Sequence, residues 1–404
     1  MEPVKVSLES ISKLEGLTEI FEPMIVPVRQ SGILKSAGCA RKFLYEERWR
    51  LRLKTTSPIS ARSRGQMVHK CLELGNFDEF DNWVMDQIAT LKKAVPPSSD
   101  MFGDLQRTID QYCQQAQMAK MIVTLFNEKH GNTPNLETLH KEQTYVIRVL
   151  LDGSDMYLSG TLDQIVRDTR LHAIGIRDYK TTGLSVDYAY AGYSFGIQNK
   201  FYRLLAYLAL KETPRFFILN ILAMPSIVMS GEDRNFTTTT KVLKSGPNKG
   251  ELREEKNFIG APTFSNYLDR CRLWYQNNAI QALTSYTIFY TEPLITTEFM
   301  PYIHNTWKNC KAVPCYDNFP RDLTNTQCKA YNKVCPFMDI CQSSESMHLS
   351  LLKQKFEIHA PSDYTTVPLD NSACHLVNAN RNDDDEDVKI TRIDTTLTTT
   401  TKKG

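Results

Sequence analysis

The 404-residue chain has no apolar run approaching roughly 18 residues, so no segment reads as a helix able to cross a bilayer. It contains no Gly-x-x-x-x-Gly-Lys-Ser/Thr, and so carries no P-loop motor of its own. Cys-x-x-Cys is absent, and no histidine follows the cysteines at finger spacing, which weighs against a zinc ribbon. No internal repeat is present. The opening residues, Met-Glu-Pro-Val-Lys-Val-Ser, are polar and give no secretory leader. A cytoplasmic setting is expected on that ground, and disulfides are rare there. Net charge is scarce as well. The 48 Lys and Arg face 46 Asp and Glu, so nothing global announces a polyanionic partner. With 41% hydrophobic and 23% charged residues, the chain can bury a full core.

What is present is concentrated between residues 157 and 180. Residues 157–166 read as a strand that closes on Gly160-Thr-Leu-Asp163. After an Arg167-Asp-Thr-Arg170 turn, residues 171–180 read as the next strand, closing on Asp178-Tyr-Lys180. Strand side chains alternate, so Asp178 and Lys180 point the same way and share parity with Ile174 and Ile176. An acid and a base on an apolar face need a partner or a metal. Neighbouring strands bring Asp163 beside them. Two carboxylates and a backbone carbonyl make a hard oxygen site for Mg²⁺ or Mn²⁺. The lysine ammonium is left to hold an attacking water or the charge growing on a phosphate, the requirements of phosphodiester cleavage. The bare acid-x-Lys spacing means little alone. It recurs at Glu254/Lys256 and Asp387/Lys389 without a strand pattern, and its ordinary meaning is an exposed acid and base on a surface strand.

Two further pieces flank this one. Residues 194–210 have a helical period with Phe201, Leu204, Leu205 and Leu208 as the packing stripe. Gln198 and Tyr202 are one turn apart on a common side, an amide and a phenol suited to a sugar-phosphate backbone, although a packing role for Tyr202 is equally open. Residues 64–73 read as a helix start with His69 on one side. A lone histidine is commonly a core or surface residue, but as a neutral imidazole it can be a further metal ligand. Arg41, Lys42, Arg48, Arg50, Arg52 and Lys54 cluster around Tyr45 and Trp49, followed by Arg62 and Arg64. Basic residues interleaved with aromatics suit a single-stranded groove, and equally a solvated helix face.

The order Gly-x-x-x-His, Gly-x-x-Asp, Asp-x-Lys, Gln-x-x-x-Tyr resembles the RecB-like branch of the PD-(D/E)XK nucleases. The resemblance implies His69, Asp163 and Asp178 as ligands of Mg²⁺ or Mn²⁺, Lys180 as the catalytic lysine, and Gln198 and Tyr202 near DNA. Arg41 and Lys42 are expected to contact DNA too. The central acid is Asp178, where that branch commonly shows Glu. The implied fold is α/β, a restriction-endonuclease-like core with a central mixed sheet flanked by helices. The nuclease domain is expected over residues 31–345, with a helical insertion at 77–130 before the first strand.

The chain has ten cysteines. Cys328, Cys335 and Cys341 cluster near the C-terminal end, and three thiolates need a fourth. Cys39, in Ser36-Ala-Gly-Cys-Ala-Arg-Lys-Phe, and the Cys335-Pro-Phe run resemble the four-cysteine subset of RecB-like nucleases: CRISPR-adaptation nucleases, the AddB nuclease domain and phage relatives. The resemblance implies that Cys39, Cys328, Cys335 and Cys341 hold a [4Fe–4S] cluster, a structural staple between the chain ends. Cys310 and Cys315 leave open a ligand set without Cys39. Cys71, Cys113 and Cys271 fall in apolar helical patterns and read as small hydrophobes. Residues 360–404, acidic at 383–387 and then Thr-rich, have little to bury and are expected to be disordered. The expected activity is a metal-dependent DNA exonuclease on single strands or duplex ends, with any helicase, recombinase or integrase partner on a separate chain and no membrane partner. Two alternatives stand beside it: a CRISPR-type spacer-processing nuclease in a complex, and a non-catalytic DNA-binding subunit that keeps the fold.

Overall fold

The computed structural model describes residues 27–49, 51–54, 61–94, 102–131, 133–151, 154–194, 196–242, 251–291, 299–312, 319–322, 328–330, 333–358, 373–377 and 390–394. Its centre is a mixed sheet in the order β2-β3-β4-β5-β8. The strands are β2 (Leu136–Leu151), β3 (Ser154–Asp168), β4 (Ala173–Thr182), β5 (Phe216–Ala223) and β8 (Leu283–Phe289). β2, β3 and β4 pair antiparallel in sequence order, β4 and β5 run parallel, and β8 returns antiparallel to β5. All eight residues of β5 are buried, so both faces of the sheet are covered there, as the unbroken run Phe-Phe-Ile-Leu-Asn-Ile-Leu-Ala demands. The expected α/β architecture is what forms.

Helices flank this sheet. α1 (Gln30–Gly38) opens the described chain, and α2 (Ala61–Leu74), α3 (Phe77–Ala94) and α4 (Phe102–His130) precede β2. The last two fall within residues 77–130. Lys129 Nζ donates to the carbonyls of Ala279 and Leu283, which ties the end of α4 to the start of β8. The parallel β4–β5 crossover runs through α5 (Val186–Ser194) and α6 (Ile197–Leu210). Phe201, Leu204, Leu205 and Leu208 of α6 are each at most 2% exposed, as the stripe requires. Ahead of β8, the helical segment breaks at Asn278 into α7 (Phe264–Asn277) and the single turn Ala279–Ala282.

Two findings differ more sharply from the sequence reading. β2 is a 16-residue strand that precedes the strand at 157–166 expected from sequence to come first. Asp163 is not at a strand end, because β3 continues five residues beyond it to Asp168. Part of the tail also acts otherwise than expected: β12 (Ala373–Val377) pairs parallel to the free edge of β2, and β13 (Ile390–Asp394) pairs with β12. The edge of β2 offers unpaired N–H and C=O groups, and these strands satisfy part of them. The acidic run at 383–387 lies outside the described residues, as does Asp387/Lys389.

Residues 39–53 close against residues 319–358, which include the small pair β9 (Lys329–Ala330) and β10 (Lys333–Val334). β1 (Leu51–Leu53) pairs antiparallel with β11 (Phe356–Ile358). Phe43 stacks on Phe319 at 6.2 Å, and Tyr45 lies 4.7 Å from Phe337, which stacks on Phe356 at 4.8 Å. Away from this core stands a two-stranded ribbon, β6 (Arg234–Val242) with β7 (Leu252–Pro262), exposed along all of β7. Glu254 and Lys256 sit on it, paired with Thr240 and Thr238, so this acid-x-Lys match is the solvated surface strand that bare spacing predicts.

Candidate active site

The site forms where β3 and β4 part. Their last registered pair is Gln164↔Arg177. One step on, the Asp163 carboxylate accepts the Tyr179 N–H at 2.7 Å, taking the place of a strand partner. Asp178 follows the parity set by Ile174 and Ile176, both fully buried, and is itself 1% exposed. Its Oδ2 lies 2.7 Å from Lys180 Nζ. The Lys180 ammonium also sits 5.5 Å from the Tyr193 ring centre, contributed by α5.

Two glycines let helices approach closely enough to deliver their side chains. A Cβ at Gly65 would lie 2.7 Å from Thr181 Oγ1, so glycine is what allows α2 to press on the end of β4. One turn later His69 Nδ1 comes to 3.6 Å from Asp163 Oδ2. A Cβ at Gly160 would lie 2.7 Å from Leu205 Cδ1, so glycine there seats α6 on β3. From that helix Gln198 Nε2 reaches Asp178 Oδ1 at 3.5 Å. Tyr202, one turn on, is half-buried, and the site carboxylates act on its hydroxyl. His69, Asp163, Asp178, Lys180, Gln198 and Tyr202 are therefore gathered in one place.

The structure adds a residue. His69, Glu142 and Asp163 each offer a ligand atom within 4.8 Å of the others. Glu142 lies on β2, and the Val/Ile/Thr/Tyr-rich run at 144–149 was the available strand signal. Its position opposite Asp163 had no local signal at all.

Burial governs the electrostatics. It pushes the Asp178 carboxyl up to about 6 against the pull of Lys180, and raises Asp163 as well. Glu142 is driven up to about 8 by burial, then by the charges of Asp163 and Glu73. Burial opposes the Lys180 ammonium, yet Asp178 and Asp163 overcome it and hold its pKa above the usual lysine range. Burial and the Lys180 charge lower His69, which favours the neutral imidazole that binds metal. Carboxylates crowded in low dielectric with one histidine nitrogen form a donor set that fits a divalent cation of the Mg²⁺ or Mn²⁺ kind.

The cysteines form a second donor set. Cys39, Cys328, Cys335 and Cys341 line one cavity of about 260 Å³ with Lys42, Tyr45, Arg321 and Phe337. Cys39 caps the end of α1, its N–H donating to Lys35 O at 2.8 Å. Cys335 N–H donates to Cys328 O at 2.8 Å and Cys341 N–H to Phe337 O at 3.0 Å, so backbone turns hold the three C-terminal thiols. Burial raises Cys335 and Cys341, while Lys42 and Arg41 respectively pull them back towards thiolate. Cys310 is not on this cavity. It is buried beside Arg48 and Glu47, with its thiol pushed up to about 12 by burial. Cys315 lies outside the described residues. Cys71 and Cys271 are buried as small hydrophobes, and Cys113 is half-buried.

Arg41 and Lys42 are placed in this lobe. Arg41 Nε donates to Phe319 O at 2.6 Å, a bond between residues 278 apart in sequence. Arg48 is half-buried and Arg52 donates to backbone carbonyls of Glu46 and Leu51, while Arg50 lies outside the described residues.

A family model for the PD-(D/E)XK nuclease superfamily matches residues 30–342. No curated protein matches the chain. Among solved structures, the crystal structure of SSO0001 aligns over 66% of this chain and 84% of its own at 14% identity, with a TM-score of 0.24, an overlap too loose to carry an argument.

Proposed function

The chain belongs to the PD-(D/E)XK nuclease superfamily, and from that membership we propose a metal-dependent DNA exonuclease that works on single strands or duplex ends in recombination, repair or phage DNA processing. The carrying observation is the convergence of Asp163, Asp178 and Lys180 with His69 where β3 and β4 part. A divalent cation held by His69, Asp163 and Asp178 would supply Lewis acidity and a water of lowered pKa. Lys180, kept charged by the two acids, stabilises the negative charge that grows on the phosphate. Gln198 orients Asp178, and Gln198 and Tyr202 together fix the scissile strand. Low exposure at Asp178 excludes bulk water and strengthens each of these interactions.

The four cavity cysteines are proposed as ligands of a [4Fe–4S] cluster whose role is structural. Four sulfur donors on one cavity, with cations beside them, suit a cluster of net negative charge. Lys42 is proposed to add a phosphate contact, whereas Arg41 ties the lobe together.

The test is cleavage of end-labelled linear DNA against circular single-stranded DNA, with Mg²⁺ or Mn²⁺ and with EDTA. Metal-dependent release of short products from linear ends, with circles intact, is expected. Cleavage of circles would make the enzyme an endonuclease, and cleavage in EDTA would remove the metal from the reading.

A further inference from the structure

We propose that Glu142 is a ligand of the divalent cation, and that the first seat of the ion is the His69–Glu142–Asp163 group. The proposal rests on the nuclease reading above and adds Glu142 to the His69, Asp163 and Asp178 named there, with Asp178 the later of the carboxylates to engage the ion.

Three observations carry it. The donor atoms of these residues already lie within 4.8 Å of one another, so one ion can touch all three with little rearrangement. Asp178 is differently engaged: one of its oxygens faces the Lys180 ammonium at 2.7 Å and the other the Gln198 amide at 3.5 Å. A cation seated on Asp178 has to displace a lysine in direct contact with it, whereas the lysine whose charge reaches Glu142, Lys70, is held by Glu73. Among the described residues Glu142 has no ion pair, and the nearby Lys70 is paired with Glu73. Finally, Glu142 stands between the registered pairs Lys141↔Gln164 and Gln143↔Leu162, which puts it opposite Asp163. Its φ of 45° is one that residues with side chains seldom adopt. One imidazole nitrogen and two carboxylates would leave several coordination positions for water and phosphate oxygens, as a catalytic centre requires.

The experiment is titration of the full chain with Mn²⁺ alone, without DNA, followed by calorimetry and by the electron paramagnetic resonance of free Mn²⁺. Wild type is compared with Glu142→Gln, Asp178→Asn and Glu137→Gln, an exposed acid on the same strand. Glu142→Gln is expected to weaken Mn²⁺ binding by about tenfold or more, the scale of a lost metal-site partner. Asp178→Asn should weaken it less, and Glu137→Gln not at all. In EDTA, Glu142→Gln should melt at or above the wild-type temperature, since it removes a crowded acid. A lower melt would make Glu142 a structural residue and overturn the assignment. Unchanged Mn²⁺ affinity in Glu142→Gln, with loss in Asp178→Asn, overturns this proposal and leaves the nuclease reading standing. A wild-type chain that binds no Mn²⁺ overturns both.

Discussion

The carboxylate site and the cysteine cavity are both clusters of metal-type donors, yet they are gathered by opposite means. Asp163, Asp178 and Lys180 sit on two strands joined by a short turn, and antiparallel pairing up to Gln164↔Arg177, with the Asp163–Tyr179 hydrogen bond just beyond it, brings them together. Cys39 and Cys341 come from opposite ends of the family-matched segment, and only closure of those ends makes them neighbours. The Phe43–Phe319 stack, the Arg41–Phe319 hydrogen bond and the β1–β11 ladder perform that closure. Closing so long a loop costs entropy, and a bound cluster that pins it removes that freedom from the unfolded chain. A local site should therefore lose chemistry without losing fold when broken, and a site built by closure should lose fold first.

The largest test of that contrast is at the carboxylates. Asp163→Ala and Asp178→Ala should abolish cleavage with either metal while iron content and melting temperature stay near wild type. Lys180→Ala should lower kcat by about 10²-fold or more, the scale of one lost preorganised electrostatic contact. Lys180→Arg should not restore it, because a planar guanidinium cannot set its charge where the ammonium stood. Glu254→Ala, on the exposed ribbon, should change nothing. Cleavage that survives Asp178→Ala would move the active site.

Next come the cysteines. Anaerobically purified protein should be brown and hold about four irons per chain. Alanine at Cys39, Cys328, Cys335 or Cys341 should remove iron and lower the melting temperature, with cleavage falling only as the fold is lost. Cys310→Ala should keep the iron. Stoichiometric zinc, or full iron in Cys39→Ala, would break the proposed ligand set.

A smaller effect separates the two neighbouring cations. Lys42→Gln should reduce the salt dependence of single-strand binding by roughly 0.7 in log–log slope, one phosphate contact. Arg41→Gln should leave that slope alone and speed iron loss in air. The reverse pattern would exchange their roles.

The smallest effect is on pH dependence. Asp178 is raised to about 6 and Glu142 to about 8 in the fold, against about 4 for an unfolded carboxyl. Both bind protons more tightly when folded. Their stabilising contribution is complete below pH about 4 and is lost as pH rises through about 6 and then about 8. Metal-free protein should thus lose melting temperature over that window, and Glu142→Gln should flatten its upper part. A wild-type curve that rises there would contradict the crowding at the site.

Much of the active site could be read from particular residues. The parity of Ile174, Ile176, Asp178 and Lys180 survives intact in β4, and the stripe of Phe201, Leu204, Leu205 and Leu208 is the buried face of α6. Both patterns are local, because the pleat and the helical turn fix which side chains share a face before any tertiary contact forms. The same locality explains how the glycines could be read as motif positions without revealing why glycine is needed: the reason is a helix arriving from elsewhere.

Other features were decided by tertiary structure alone. Glu142 acquires meaning only because β2 lies beside β3 and His69 arrives on α2. Arg41 and Lys42 look like a basic surface in sequence and become part of a closed lobe once Phe319 and Cys335 meet them. Sequence alone determined the strand and helix faces that carry Asp178, Lys180, Gln198 and Tyr202, since side-chain period depends on backbone geometry within a few residues. The fold decided which distant residues join those faces, since sheet neighbours and chain-end closure depend on contacts that no short stretch of sequence encodes.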